Sequence, residues 1–101
     1  MSLNLELKIF YAPSFLGLAI EQVKSTYKIP ISSYYLWPRT DAWEQIKLEL
    51  ESKPWVKPEE KIKLLNQTAS IMNYWRKNRH NTTKKTLNAQ FPELLFVNVV
   101  E

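Results

Sequence analysis

The chain has no cysteine, one glycine and one histidine in 101 residues. Without cysteine there is no disulfide framework, no thiol chemistry and no thiolate zinc site. A lone histidine cannot supply the ligand set of a histidine-rich metal centre, so no metal and no cofactor is expected. One glycine excludes the Gly-rich loops that cradle phosphates, because those turns need several glycines at fixed spacings. No uncharged run exceeds 12 residues, and the one from Ile9 to Ile20 is interrupted by Pro13; a membrane helix needs roughly 18–20. The first ten residues contain no arginine and carry Glu6, unlike a secretory signal or a transit peptide. From that start, the chain is expected to be made in the compartment where it works.

What is present is a core-forming composition, 45 % hydrophobic and 13 % aromatic, in a chain of single-domain length. The net charge of +4 is unevenly placed. Residues 1–38 sum to +1 and residues 39–75 to zero. Residues 76–90 hold Arg76, Lys77, Arg79, Lys84 and Lys85 with no acid, and residues 91–101 sum to −2. A balanced body is therefore followed by a cationic strip, which reads either as a solvated tail or as a polyanion-binding surface.

Alternation at Leu3, Leu5, Leu7, Ile9 and Tyr11 predicts a strand over 3–11. Ser14 then suggests the N-cap of a helix over about 15–27, with Leu16, Ala19, Ile20, Val23 and Tyr27 on one face. Residues 31–37 are rich in β formers and predict a second strand. That order implies a crossover with the two strands parallel if they share a sheet. Thr40 or Asp41 caps a helix to about Ser52, with Asp41 and Glu44 spaced as in a capping box and Trp43, Ile46 and Leu50 buried. Pro58, Glu59 and Glu60 open a helix to about Lys77, with an apolar set of Ile62, Leu65, Ala69, Met72 and Trp75 flanked by Leu64, Thr68 and Ile71 and wide enough to dock on a sheet or between helices. Residues 78–93 lack periodicity, whereas 94–100 are β-like and could form a third strand. The expectation is a small α+β domain over 1–77: strand–helix–strand, then two helices. A basic extension over 78–101 follows, ending in a possible strand.

Most conspicuous residues have a plain structural use. Burying one aromatic side chain removes roughly 150–250 Å² from water, so Trp43 and Trp75 are expected in the core. Trp37 and Trp55 sit beside prolines and are expected there too, with surface contact as their alternative. Glu59 and Glu60 suit the helix dipole, and Glu49 and Glu51 point to different helix faces, so neither pair suggests catalysis. His80 is expected to be a bystander. Arg39, between a Trp-Pro corner and a helix start, divides evenly between a structural hydrogen bond and a partner contact.

Residues 34–75 carry a resemblance. Trp37-Pro38-Arg39, Asp41-Ala42-Trp43-Glu44, Glu51-Ser52-Lys53-Pro54-Trp55, Leu64-Leu65-Asn66-Gln67 and the closing Trp75 resemble the plastid-specific ribosomal protein 3 family. Residues 3–33 match more loosely, Ala19-Ile20-Glu21-Gln22-Val23 best; nothing is carried over to residues past about 78. The resemblance implies a non-enzymatic component of the chloroplast small subunit, in the stroma, touching 16S-type ribosomal RNA and neighbouring ribosomal proteins. Charge placement alone nominates Arg39, Arg76, Lys77, Arg79, Lys84 and Lys85 as RNA contacts. Eleven lysines against three arginines, with almost no glycine, suggest an AT-rich coding genome and hence a plastid-encoded chain. The alternative is a plastid protein–protein adaptor using Trp37, Trp55 and the 94–100 segment.

Overall fold

The computed structural model describes residues 4–100. The elements run β1 (Asn4–Tyr11), β2 (Leu16–Val23), β3 (Lys28–Pro30), β4 (Tyr35–Trp37), α1 (Ala42–Glu51), α2 (Pro58–Asn78), α3 (Lys84–Gln90) and β5 (Leu95–Val99). The α+β class is as expected. Leu3 and Glu101 lie outside the described residues.

The alternation of β1 places Leu5, Leu7, Ile9 and Tyr11 inward, all buried. Its neighbour is the first correction: residues 16–23 are a strand, not a helix. Leu16, Leu18 and Ile20 also alternate with period two, and an apolar run this short satisfies both periodicities. Pairing with β1 decides the outcome, through a register running from Asn4↔Val23 to Tyr11↔Leu16. The Ala12-to-Phe15 turn closes the hairpin, with Ala12 N–H donating to the Phe15 carbonyl at 3.1 Å.

The predicted strand over 31–37 is also corrected. Only its last three residues pair, as β4 opposite Leu16–Leu18; β3 precedes the predicted range and lies opposite Glu21–Val23, and both are antiparallel to β2. No parallel crossover joins the first two strands of the sheet. The parallel partner of β1 is instead β5, with a register shift between Ile9 and Phe10. The sheet order is β3-β2-β1-β5, with β4 sharing the free edge of β2.

The helices lie on the face that carries Leu7, Ile9, Leu18 and Ile20. In α1, Ala42, Ile46 and Leu50 are buried and Trp43 is half-buried, its indole N–H donating to the Leu65 carbonyl at 3.3 Å. Asp41 is the N-cap, accepting from Glu44 N–H at 3.2 Å. The buried stripe of α2 is Leu64, Thr68, Ile71, Met72 and Trp75, shifted toward the flank of the predicted set, so that Ile62 is 60 % exposed. Thr68 donates its hydroxyl to the Leu64 carbonyl, which permits its burial. Trp55, expected mainly in the core, is 43 % exposed, while Trp37 is half-buried against the core.

Residues 78–93 are not irregular throughout. Thr83 caps α3, accepting from Thr86 N–H at 3.2 Å, and Leu87 enters the core beside Phe96 of β5. Tyr74 and Phe91 meet edge to face at 5.3 Å, tying α2 to the segment that leads into β5.

The sheet's other face carries no helix among the described residues. Phe10 and Phe15 stack there at 5.2 Å, and Tyr34 and Leu36 approach Gly17. A Cβ on Gly17 would lie 3.2 Å from Phe10 Cβ and 3.3 Å from Tyr34 Cδ1. The chain's single glycine thus sits where three side chains converge on backbone. Farther along the same face Lys8 and Lys28 hold Glu21 and Glu6 in an ion-pair cluster.

Candidate nucleic-acid interface

The cations of the basic strip stand on two helix ends and the corner between them. Arg76 and Lys77 occupy the last turn of α2, where positive charge is favoured by the helix dipole. Arg79 is the C-cap, and its guanidinium lies over the Trp75 ring at 5.0 Å. Trp75 is itself fixed: buried, it donates its indole N–H to the Ala12 carbonyl at 2.7 Å. A rigid aromatic plate therefore orients Arg79 at the surface.

Lys84 and Lys85 open α3. The positive end of a helix disfavours cations, so helix stability does not account for them. All five side chains are exposed, and none forms an ion pair among the described residues. Contrast Lys53, paired with Glu49, and Lys63, which lies 3.5 Å from Glu60. The basicity of this corner is left unneutralised by the fold, which suits a surface that meets fixed negative charge.

Arg39 stands apart from the strip. The turn after β4 positions it, with Thr40 donating both its N–H and its hydroxyl to the Leu36 carbonyl, at 2.8 and 3.0 Å. It is exposed, unpaired among the described residues, and lines a cleft with Ser14, Phe15, Leu36 and Pro38. His80 is exposed within the corner. Glu60 has a structural use, accepting from Leu5 N–H at 3.1 Å. Glu49 does too: the Lys53 ammonium and the Tyr35 hydroxyl hold its carboxyl below the usual carboxylate range.

Sequence reasoning found the cations and missed the plate under one of them. Arg79 is four residues beyond Trp75, a spacing at which side chains on a helix meet. That signal was present at Trp75–Arg79. It also missed α3, whose Thr83 cap and single core residue Leu87 give too few positions for periodicity to register.

The family model for plastid and cyanobacterial ribosomal protein (PSRP-3 / Ycf65) matches residues 31–78. A small ribosomal subunit protein cS23 from Gracilaria tenuistipitata var. liui is 42 % identical over 90 residues, 89 % of this chain and 91 % of that protein. A probable small ribosomal subunit protein cS23 from Synechococcus sp. (strain JA-3-3Ab) is 42 % identical over 89 residues, covering 88 % and 90 % of the two chains. The cS23z protein of Arabidopsis thaliana is 41 % identical over 80 residues, 78 % of this chain and 48 % of its own. These are ribosomal proteins rather than enzymes. With its Trp-Pro-Arg turn, its α1–α2 pair and near full-length similarity to such relatives, this chain belongs to the plastid and cyanobacterial ribosomal protein family (PSRP-3 / Ycf65).

Proposed function

We propose that this protein is a structural component of the small subunit of the plastid ribosome, held on 16S-type ribosomal RNA by the α2–α3 corner. The observation that supports it most directly is the set Arg76, Lys77, Arg79, Lys84 and Lys85: exposed, unpaired among the described residues, and mounted on packed elements. RNA helices are met mainly through phosphates and 2′-hydroxyls, so cations fixed on a rigid corner are the appropriate chemistry. Arg39 extends the same charge toward the hairpin end. Its lysine-rich, glycine-poor composition fits a plastid coding origin. The outer edge of β5 and the exposed Trp55 are the surfaces best suited to neighbouring proteins of the subunit.

The test is a salt titration. If about five phosphates are neutralised, log K for the RNA site falls with log salt at a slope of about −3.5 to −4.5. Replacing the five cations by glutamine flattens that slope and releases the protein from small subunits at lower salt. Affinity that ignores salt, or survives the fivefold replacement, overturns the assignment.

A further inference from the structure

The uncovered face of the sheet has a composition that its exposure does not explain. In an antiparallel sheet with one face on helices, the other is ordinarily polar. Here its hairpin end gathers Phe10, Phe15, Tyr34 and Leu36, with Lys8 over the Tyr34 ring at 5.5 Å. Between Phe15, Leu36, Pro38 and Arg39 lies a cleft of about 490 Å³, within the roughly 300–1,000 Å³ span of ligand sites.

We propose that this cleft takes an unstacked base of single-stranded ribosomal RNA, laid on Phe15, with Arg39 contacting the adjoining phosphate. The inference rests on the RNA-binding function proposed above and assigns it a second, chemically different site. Three observations support it. First, the only ionisable group lining the cleft among the described residues is a cation, Arg39. The acid nearest it in sequence, Asp41, is committed to capping α1, and Glu6 and Glu21 are held by lysines toward the other end of the face.

Second, the aromatic surface is rigid. Phe15 is backed by Phe10, and Gly17 lets Tyr34 and Leu36 close against the strands. Aromatic rings held in this way stack bases with little regard to sequence. Third, a chain of contacts through the hairpin turn links the cleft to the cationic corner. Phe15 closes the turn that begins at Ala12, Ala12 accepts from Trp75, and Arg79 covers Trp75. Apolar side chains beside an unpaired arginine would also suit a protein neighbour, and the experiment separates the two.

The full chain is titrated with single-stranded oligo(A) and with an RNA duplex of the same length. Phe15→Ala is expected to weaken oligo(A) binding by roughly 5- to 150-fold, the loss of one stacked base, and to leave duplex affinity unchanged. Phe15→Tyr retains binding. Arg39→Gln, at an exposed position, weakens oligo(A) more than the duplex and keeps the test open should Phe15→Ala misfold. Arg76→Gln with Lys77→Gln lowers both affinities. Oligo(A) affinity indifferent to Phe15→Ala and Arg39→Gln, or duplex affinity lost in equal measure, overturns the cleft. Duplex binding without oligo(A) binding also overturns it, while leaving the corner assignment intact. Failure to bind either RNA removes the RNA-binding function itself. In intact small subunits, ultraviolet crosslinking should attach a nucleotide to the peptide containing Phe15; a protein crosslinked there instead refutes the proposal.

Discussion

At the scale of single residues, Trp75 does the most. It fills the core, satisfies the Ala12 carbonyl and supports Arg79. Trp75→Phe keeps most of the apolar volume but strands the buried carbonyl, for an expected loss of about 1–3 kcal/mol in urea denaturation. Glu49 is the residue whose charge state links stability to acid. Its lowered native pKa means its contribution is complete above the unfolded carboxylate value of about 4.3 and is lost as pH falls from there through the native value. Wild type should therefore exceed Glu49→Gln in stability at neutral pH, with the two converging in acid. Tyr35 acts at the opposite extreme, pushed up to about 12 by burial and by its hydrogen bond to Glu49. Its contribution is whole below pH 10 and declines between about 10 and 12, so Tyr35→Phe should show a shallower alkaline loss. Denaturation midpoints measured across pH check both.

Among the elements, α3 is where structure and function pull apart. Leu87 alone anchors it in the core, and Leu87→Ala should cost about 2–5 kcal/mol. If the segment were a free tail, that substitution would leave the urea midpoint where it was. Lys84 and Lys85 face the unfavourable end of the helix dipole. Lys84→Gln with Lys85→Gln should leave stability unchanged or raise it by about 0.3–1 kcal/mol, while weakening RNA binding. A loss of stability in that variant would mean that the lysines serve the fold instead. Elements with local signals were legible beforehand: α1 from Asp41 and Glu44, α2 from Pro58 and its acidic first turn, β1 from strict alternation. β2 was not, because Leu16 to Val23 satisfies two periodicities and only its neighbours choose between them.

Over the whole molecule, the chain makes a two-layer body with helices on one face of a sheet, and five of its unpaired cations gather at one corner. The sequence by itself determined the amounts: a core of apolar residues, a balanced middle, and five bases without an acid between Arg76 and Gln90. It also determined the helices whose caps and dipoles are written within a few neighbouring residues. Tertiary structure alone decided how β1 is partnered: the β5 pairing joins residues far apart in the chain, and the β2 hairpin forms because pairing with β1 settles a run that fits two periodicities. It decided likewise that Phe10, Phe15, Leu36 and Arg39 share one end of an open face. Periodicity and capping act over a few residues, whereas strand partnership is settled by which apolar surfaces can be buried together. For that reason the cationic corner could be named from composition, and the aromatic cleft could not.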